Sequence, residues 1–245
     1  MRRAAQELLG YRLQGIDGEL GDVEDLYFDD SKWRIRYFVV NTGSWLSGRR
    51  VLLSPLALTG VPRDDRRINV ALTTDQVRNS PDIDLHRPVS RQEEIDLHTH
   101  YGWMYYGFGG LPMEIPRIAV PDDSARPPEP PKDPADRHLR SVKEVTGYRI
   151  AATDGNLGHV EDFVVDHATW DVAYLVVDTA PLWMGKKVLI FPGLVEDVDW
   201  GGRSVALALT KDQIDQAPEW DGSFPVEPRY GDKLQAHYDR VSYVV

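Results

Sequence analysis

Short apolar runs with a two-residue period dominate this chain. In WRIRYFVV (residues 33–40), Ile35, Tyr37 and Val39 share one face of an extended segment, and WDVAYLVV (170–177) repeats the alternation. β-branched and aromatic residues at this period predict strands. Further strands are predicted at RRVLLS, LALTGV and RINVAL, and again at KKVLIF, LVEDVD and SVALAL. Each set brings the total to about six strands in about 60 residues, a spacing typical of a small antiparallel barrel or sandwich.

Short helices are predicted after the strands. TTDQVRNSP and TKDQIDQAP each place a Thr three residues before a Gln, which is the signature of a capping box at a helix start. SRQEEIDLHTHYG predicts a further helix with Leu97 and His100 on one face, and the same residue types recur at Leu234 and His237.

The pattern occurs twice because the sequence is duplicated. DGELGDVEDLYFDD (17–30) recurs as DGNLGHVEDFVVDH (154–167). Residues 10–103 align with 147–240 without a gap at an offset of 137 positions, and 34 of the 94 aligned positions are identical. A repeat unit of this length predicts a domain rather than a solenoid unit.

We therefore predict an all-β fold with short peripheral helices, in which two tandem small antiparallel barrels occupy residues 1–103 and 147–245. Residues 104–146 are predicted to hold an aromatic segment and a linker. The linker interpretation depends on VPDDSARPPEPPKDPADRH (120–138), which is rich in Pro and charge and too poor in apolar residues to form a core.

Composition and charge exclude several classes of protein. The net charge is −11, so a nucleic-acid or anionic-lipid surface is a poor partner, because such binding depends on Lys and Arg. The chain has no cysteine, hence no disulfide and no thiolate metal site. It has no apolar run long enough to span a bilayer, and its first residues, MRRAAQELLGYRL, do not resemble a signal peptide. We expect a cytoplasmic protein that does not insert into membranes.

The repeated acids Asp17, Glu24, Asp25 and Asp29 offer a possible cation site or acid–base pair. Their spacing does not fit an EF-hand loop, and no nucleophile motif accompanies them. Turn formation and solvent exposure explain such acids more simply. His98 and His100 lie two apart on the predicted helix, which is the wrong spacing for a helical metal site. We expect no catalytic residue, no metal and no cofactor.

The motif DGELGDVEDLYFDDSKWRIRYFVV, followed by GRRVLLSP and LTTDQVRNSP, resembles the PRC-barrel domain. That family is named after the cytoplasmic part of the photosynthetic reaction centre H subunit and also resembles the C-terminal domain of a bacterial ribosome-maturation factor. The resemblance extends to both copies. It implies a small β-barrel that makes protein–protein contacts, and it does not imply an enzyme.

Aromatic side chains are the candidate contact residues. Tyr105, Tyr106 and Phe108 have no counterpart in the second copy, and Trp45 and Trp183 lie in the loops SWLSG and PLWMG. Exposed aromatic residues are typical interface anchors. Alternatively, the segment that begins at Trp103 folds back on the first barrel or fills the gap between barrels, and each loop tryptophan closes a barrel end.

The leading functional hypothesis is a non-enzymatic adaptor or assembly module. Its partners would be itself, through barrel pairing within the chain or in a homodimer, and a second protein. One alternative is a peripheral assembly factor of a photosynthetic or respiratory membrane complex. Another is a metal-binding protein or enzyme that uses the repeated acids.

Overall fold

The computed structural model describes residues 2–61, 65–81, 89, 91–103, 139–179, 186–224 and 226–242. The chain is mostly β with a few helices, and its strands form two seven-stranded sheets. In the first half the elements are β1 (Arg2–Ala4), β2 (Arg12–Gln14), β3 (Glu19–Asp29), β4 (Arg34–Asn41), β5 (Arg50–Leu53), β6 (Leu58–Gly60), β7 (Arg67–Val70), α1 (Thr74–Arg78) and α2 (Arg91–Tyr101).

The second half repeats this series of elements. They are β8 (Leu139–Ser141), α3 (Val142–Val145), β9 (Arg149–Ala152), β10 (Gly155–Asp166), β11 (Val172–Asp178), β12 (Lys187–Ile190), β13 (Val195–Asp199), β14 (Ser204–Leu207), α4 (Lys211–Asp215) and α5 (Pro228–Ser242). Capping boxes start α1 at Thr73 and Gln76 and α4 at Thr210 and Gln213, as the sequence predicts.

The two sheets have the same strand order. The first runs β5-β4-β3-β2-β7-β6, and the second runs β12-β11-β10-β9-β14-β13. This equivalence agrees with the ungapped repeat, because an insertion in a strand would have shifted its register.

Two features of the predicted barrels differ from the structure. The described strands form open sheet paths, and no closed barrel is found among them. The sheets are also not purely antiparallel, because β2 pairs with β7, and β9 with β14, in parallel. The parallel pairs have a physical reason in the connections that precede them. A 3-10 helix connects β5 to β6 (Pro55–Ala57), and another connects β12 to β13 (Pro192–Leu194). Neither connection reverses the chain direction as a hairpin would.

Each sheet takes its seventh strand from the other half of the chain. β1 pairs with β10, with Arg2 opposite Asp166, and β8 pairs with β3, with Leu139 opposite Asp29. The two pairings are equivalent, because Leu139 and Asp166 lie 137 positions after Arg2 and Asp29, which is the offset of the repeat. The buried side chains of both halves form one continuous core, so the two repeats share their hydrophobic interior.

Candidate functional site

The Asp-Gly turn that opens the repeated motif is bound within its own repeat. Asp17 accepts hydrogen bonds from the Thr74 backbone N–H at 2.8 Å and from the Thr74 hydroxyl at 3.0 Å, and the pKa of its carboxyl is lowered mainly by the first of these. Asp154 accepts from the Lys211 backbone N–H at 2.8 Å. In each repeat the turn therefore fixes the start of the short helix, α1 or α4.

The second glycine of the repeated motif is required by close packing. An added Cβ at Gly21, where φ is +134°, would lie 2.1 Å from the Asn41 carbonyl oxygen. Gly158 has the same relation to the Asp178 carbonyl. Separations below about 3 Å are not sterically possible without backbone movement. This glycine lets β3 approach the end of β4, and β10 the end of β11.

The next acid in the motif forms a cross-strand ion pair. Glu24 lies 2.8 Å from Arg50, and Glu161 lies 2.5 Å from Lys187. The Arg50 side chain lowers the pKa of the Glu24 carboxyl. Both pairs are partly exposed, so they contribute little to stability, about 0–1 kcal/mol each.

The last acid of the motif connects the two repeats. Asp25 accepts hydrogen bonds from the Ser141 hydroxyl and from the Lys143 backbone N–H at 3.1 Å, and Asp162 accepts from the Gln6 backbone N–H at 3.1 Å. Burial raises the pKa of both carboxyls, that of Asp162 to about 6. Each of these acids therefore binds the lead-in segment of the opposite repeat, which is the stretch just before the aligned repeat that contains Gln6 in one case and Ser141 in the other.

A reciprocal set of contacts lies where the repeats meet. The Ile35 N–H donates to the Trp170 carbonyl at 2.8 Å, and the Val172 N–H donates to the Trp33 carbonyl at 2.7 Å. Arg34 and Asp171 occupy equivalent positions, 137 residues apart, and their side chains pair at 2.5 Å. Such self-complementary contacts are those of an isologous interface, here within one chain.

The tryptophans at this interface have an unusual backbone conformation. Trp33 has φ of 53° and Trp170 has φ of 61°. Positive φ is unfavourable for a bulky residue because its Cβ crowds the backbone, at a cost of about 1–3 kcal/mol. Since both carbonyls accept hydrogen bonds from the opposite repeat, contact between the repeats offsets this strain.

The first repeat contains a buried polar network that the second lacks. Arg36 on β4 donates to Asp29 and to Glu94, each at 3.2 Å. The Tyr37 hydroxyl lies 2.7 Å from Glu94 and 2.9 Å from the Nε2 atom of His98. All five side chains are buried. Burial also raises the pKa of the Tyr37 hydroxyl well above its ordinary value, so that it remains protonated.

This network was not predicted from the sequence, although the sequence contains signals for it. Glu94 and His98 are four apart and so share one face of α2. In the second repeat the equivalent positions of Arg36, Glu94 and His98 hold an alanine, a glycine and a glutamine. Three coordinated departures from the repeat would have indicated contact among these residues.

Two clefts flank the contact between repeats at equivalent places. The first has a volume of about 370 Å³ and is lined by residues that include Arg34, Arg36, Leu56 and His167. The cations in this cleft have anionic partners, since Arg34 pairs with Asp171 and Arg36 with Asp29 and Glu94.

The second cleft has a volume of about 270 Å³. Its lining residues are Asp30, Ser31, Trp33, Arg140 and the four residues Val195 to Val198. Arg140 and Asp30, which both line this cleft, form an ion pair at 2.6 Å. The two clefts differ at this position, because the equivalent of Asp30 in the first cleft is His167. Burial and the nearby Arg3 lower the pKa of the His167 imidazole to about 4.

Most of the predicted contact residues fall outside the described part of the chain. These are Tyr105, Tyr106, Phe108 and Trp183. Trp45 is described: it is half-buried, and its indole N–H donates to the Leu20 carbonyl at 3.2 Å. The His98 and His100 side chains do not act together, because His98 joins the buried network while His100 Nε2 lies 2.8 Å from the Gln76 carbonyl.

Comparison with known proteins finds a family match in the first repeat. Residues 2–77 match the family model of the PRC-barrel domain. The match begins in β1 and ends in α1, so it covers the repeated motif, the interface tryptophan and the lead-in strand that joins the second sheet. The second repeat lies outside the match to the PRC-barrel domain. None of the curated proteins with which the chain was compared matches it.

Two further observations concern membranes and metals. The helices that the structure describes include none with the length and apolarity needed to cross a bilayer. Among the described residues, no three His, Asp or Glu side chains converge as metal ligands would. The repeated acids instead bind backbone amides, hydroxyls and cations of the chain itself.

Proposed function

We propose that this protein is a non-enzymatic adaptor or assembly module that acts in the cytoplasm through protein–protein contacts. One observation carries the proposal: residues 2–77 match the PRC-barrel domain, a module used for protein contacts. The geometry of the repeated motif supports it, because Asp17, Glu24 and Asp25 and their equivalents are engaged in the fold. An acid–base pair would instead need carboxylates that face a substrate cleft.

The duplication supports a role as a scaffold. The contact between repeats uses the same surface twice, and the surfaces that differ between repeats are then available for different partners. The charged residues at the clefts are such a difference. A chain with one internal two-fold contact and two unlike outer surfaces can hold two other proteins at a fixed separation.

Affinity purification of the tagged chain from its native cell tests the proposal. Chemical cross-linking before lysis and quantitative mass spectrometry should recover one or a few proteins at near-stoichiometric amounts, with cross-links to lysines of this chain. A matched purification with the tag on an unrelated acidic protein of similar size controls for charge. Recovery of chaperones alone, or turnover of a small molecule by the purified chain, would contradict the adaptor function.

A further inference from the structure

The second cleft lies along a strand at the end of its sheet. β13 is the last strand in the path of the second sheet, and among the described strands it pairs with β14 alone. Four consecutive residues of β13, from Val195 to Val198, line the cleft, and Trp33 of the other repeat lines it as well. A terminal strand offers backbone N–H and C=O groups along its outer side to an incoming strand.

Apolar surface accompanies this edge. Trp200, immediately after β13, is 40% exposed, and the Arg140 guanidinium lies 5.4 Å from the centre of its ring. Val195 and Trp33 are only partly buried. An exposed tryptophan beside a terminal strand is typical of a binding surface, since aromatic side chains serve as anchors with few rotatable bonds.

The charge of the cleft determines which partner fits. Asp30 is paired with Arg140, whereas Glu196 and Asp197 are exposed and form no ion pair with a described residue. The lining residues therefore carry an excess of two negative charges. Residues 121–245 hold 13 basic and 22 acidic side chains, a balance of −9, which would also attract a basic partner at long range.

Protection of the edge is the alternative explanation for these acids, because charged residues and bulges discourage unwanted strand pairing. A register shift between Val195 and Asp197 does interrupt β13. The first repeat, however, has the same edge without the charge, since Thr59 and Gly60 on β6 are the equivalents of Glu196 and Asp197. The fold does not require acids here, so their presence in one repeat points to a ligand.

We propose that the cleft along β13 binds an extended, Lys- or Arg-rich segment of a partner protein, which adds to the sheet as a further strand. This inference deepens the adaptor function and depends on it. Backbone hydrogen bonds to β13 would give affinity, as in other complexes formed by strand addition. Glu196 and Asp197 would select basic side chains, and Trp200 would stack against an alkyl chain or guanidinium.

Fluorescence anisotropy with labelled octapeptides tests the proposal on the full chain. A peptide that alternates Lys with Val should bind saturably and more weakly as salt increases. A peptide that alternates Glu with Val should not bind. The Lys-Val peptide methylated on every backbone nitrogen keeps the charge but has no backbone N–H to donate, so it should bind at least about tenfold more weakly.

Variants locate the site. The double change Glu196→Gln and Asp197→Asn should lower the affinity for the Lys-Val peptide by about fivefold or more, as expected for the loss of two exposed charge contacts. Asp232→Asn with Asp239→Asn removes the same charge from α5, and it should change binding by less than about twofold. Thermal melts of both variants confirm folding, and amide shifts in Val195–Asp199 on titration should identify β13 directly.

The proposal is overturned if the N-methylated peptide binds as well as the unmodified Lys-Val peptide, or if the two double variants have equal effects, since either result would indicate diffuse attraction between charges. It is also overturned if amide shifts map elsewhere. Failure of peptide binding while the affinity purification still recovers a stoichiometric partner would reject the β13 site and leave the adaptor function standing.

Discussion

At the scale of single residues, the repeated motif is explained by the fold. Its aspartates and glutamate bind the chain itself, and its second glycine permits a close approach between strands. Asp25 and Asp162 are unusual because they are partly buried and reach across to the other repeat. Their environment has a consequence for stability that depends on pH.

Replacing Asp162 by Asn should flatten part of the pH dependence of stability. Burial raises the pKa of this carboxyl to about 6 in the folded protein, above its ordinary value near 4. The folded state therefore holds this proton more tightly, and its contribution to stability is present below pH 4 and lost as pH rises through 6. Between pH 4 and pH 7 the free energy of unfolding of the Asn variant should therefore rise by about 2–3 kcal/mol relative to that of wild type. Urea unfolding at each pH measures this difference.

Asp17→Asn provides the opposite case. Hydrogen bonds from Thr74 lower the pKa of the Asp17 carboxyl, so its stabilising contribution is present above pH 4 and lost as pH falls. This variant should lose stability relative to wild type as pH rises. An Asp162→Asn variant that follows the same trend as Asp17→Asn would contradict the assigned cause.

Replacing Gly21 by Ala should destabilise the protein by about 2–4 kcal/mol. The positive φ and the 2.1 Å approach of the new Cβ to the Asn41 oxygen both oppose the change. Gly60→Ala is the matched control, because a Cβ there would meet no heavy atom within 4 Å. Equal denaturation midpoints for the two variants would show that β3 and β4 can separate at little cost.

At the scale of elements, the sequence predicts the local pieces well and their partners poorly. Alternation around Ile35 and Tyr37 identifies β4, and Thr73 with Gln76 identifies the start of α1. The burial of Arg36 beneath α2 could not be predicted from alternation, because it depends on Glu94, 58 positions away. The parallel pairing of β2 with β7 was missed because short strands give no local indication of direction.

The aromatic segment remains a prediction at this scale. Tyr105, Tyr106 and Phe108 occur after the first repeat alone, and they lie outside the described residues. We expect the triple change to Ala to reduce recovery of the partner protein, because truncation of an interface anchor costs about 2 kcal/mol or more of binding. The melting temperature should change little. A large drop in melting temperature with unchanged partner recovery would instead assign these residues to the core.

At the scale of the whole molecule, the exchanged strands make each repeat depend on the other. Neither sheet is complete without β1 or β8, and the core is continuous. The duplication in the sequence predicts two like domains in contact. It could not predict that their lead-in strands exchange, because Arg2–Ala4 and Leu139–Ser141 are too short to carry a pairing signal.

Separate fragments 1–103 and 139–245 should therefore associate when mixed. Light scattering should show a one-to-one complex, and its amide spectrum should match that of the full chain. Arg3→Pro in the first fragment is expected to weaken association, because proline removes a donor from the pairing of β1 with β10. Two fragments that fold as independent monomers and do not bind each other would contradict the exchanged arrangement.

The exchanged strands also bear on how the chain folds during synthesis on the ribosome. When the first repeat leaves the exit tunnel, β1 cannot pair until β10 has been synthesised. One edge of β3 likewise has no paired strand until β8 has been synthesised. The nascent first repeat therefore carries an uncovered sheet edge for longer than a self-contained domain would, which invites misassociation. The pairing of β1 with β10 joins Arg2 to Asp166, 164 positions apart, so completion of the fold is expected to be a late and slow event.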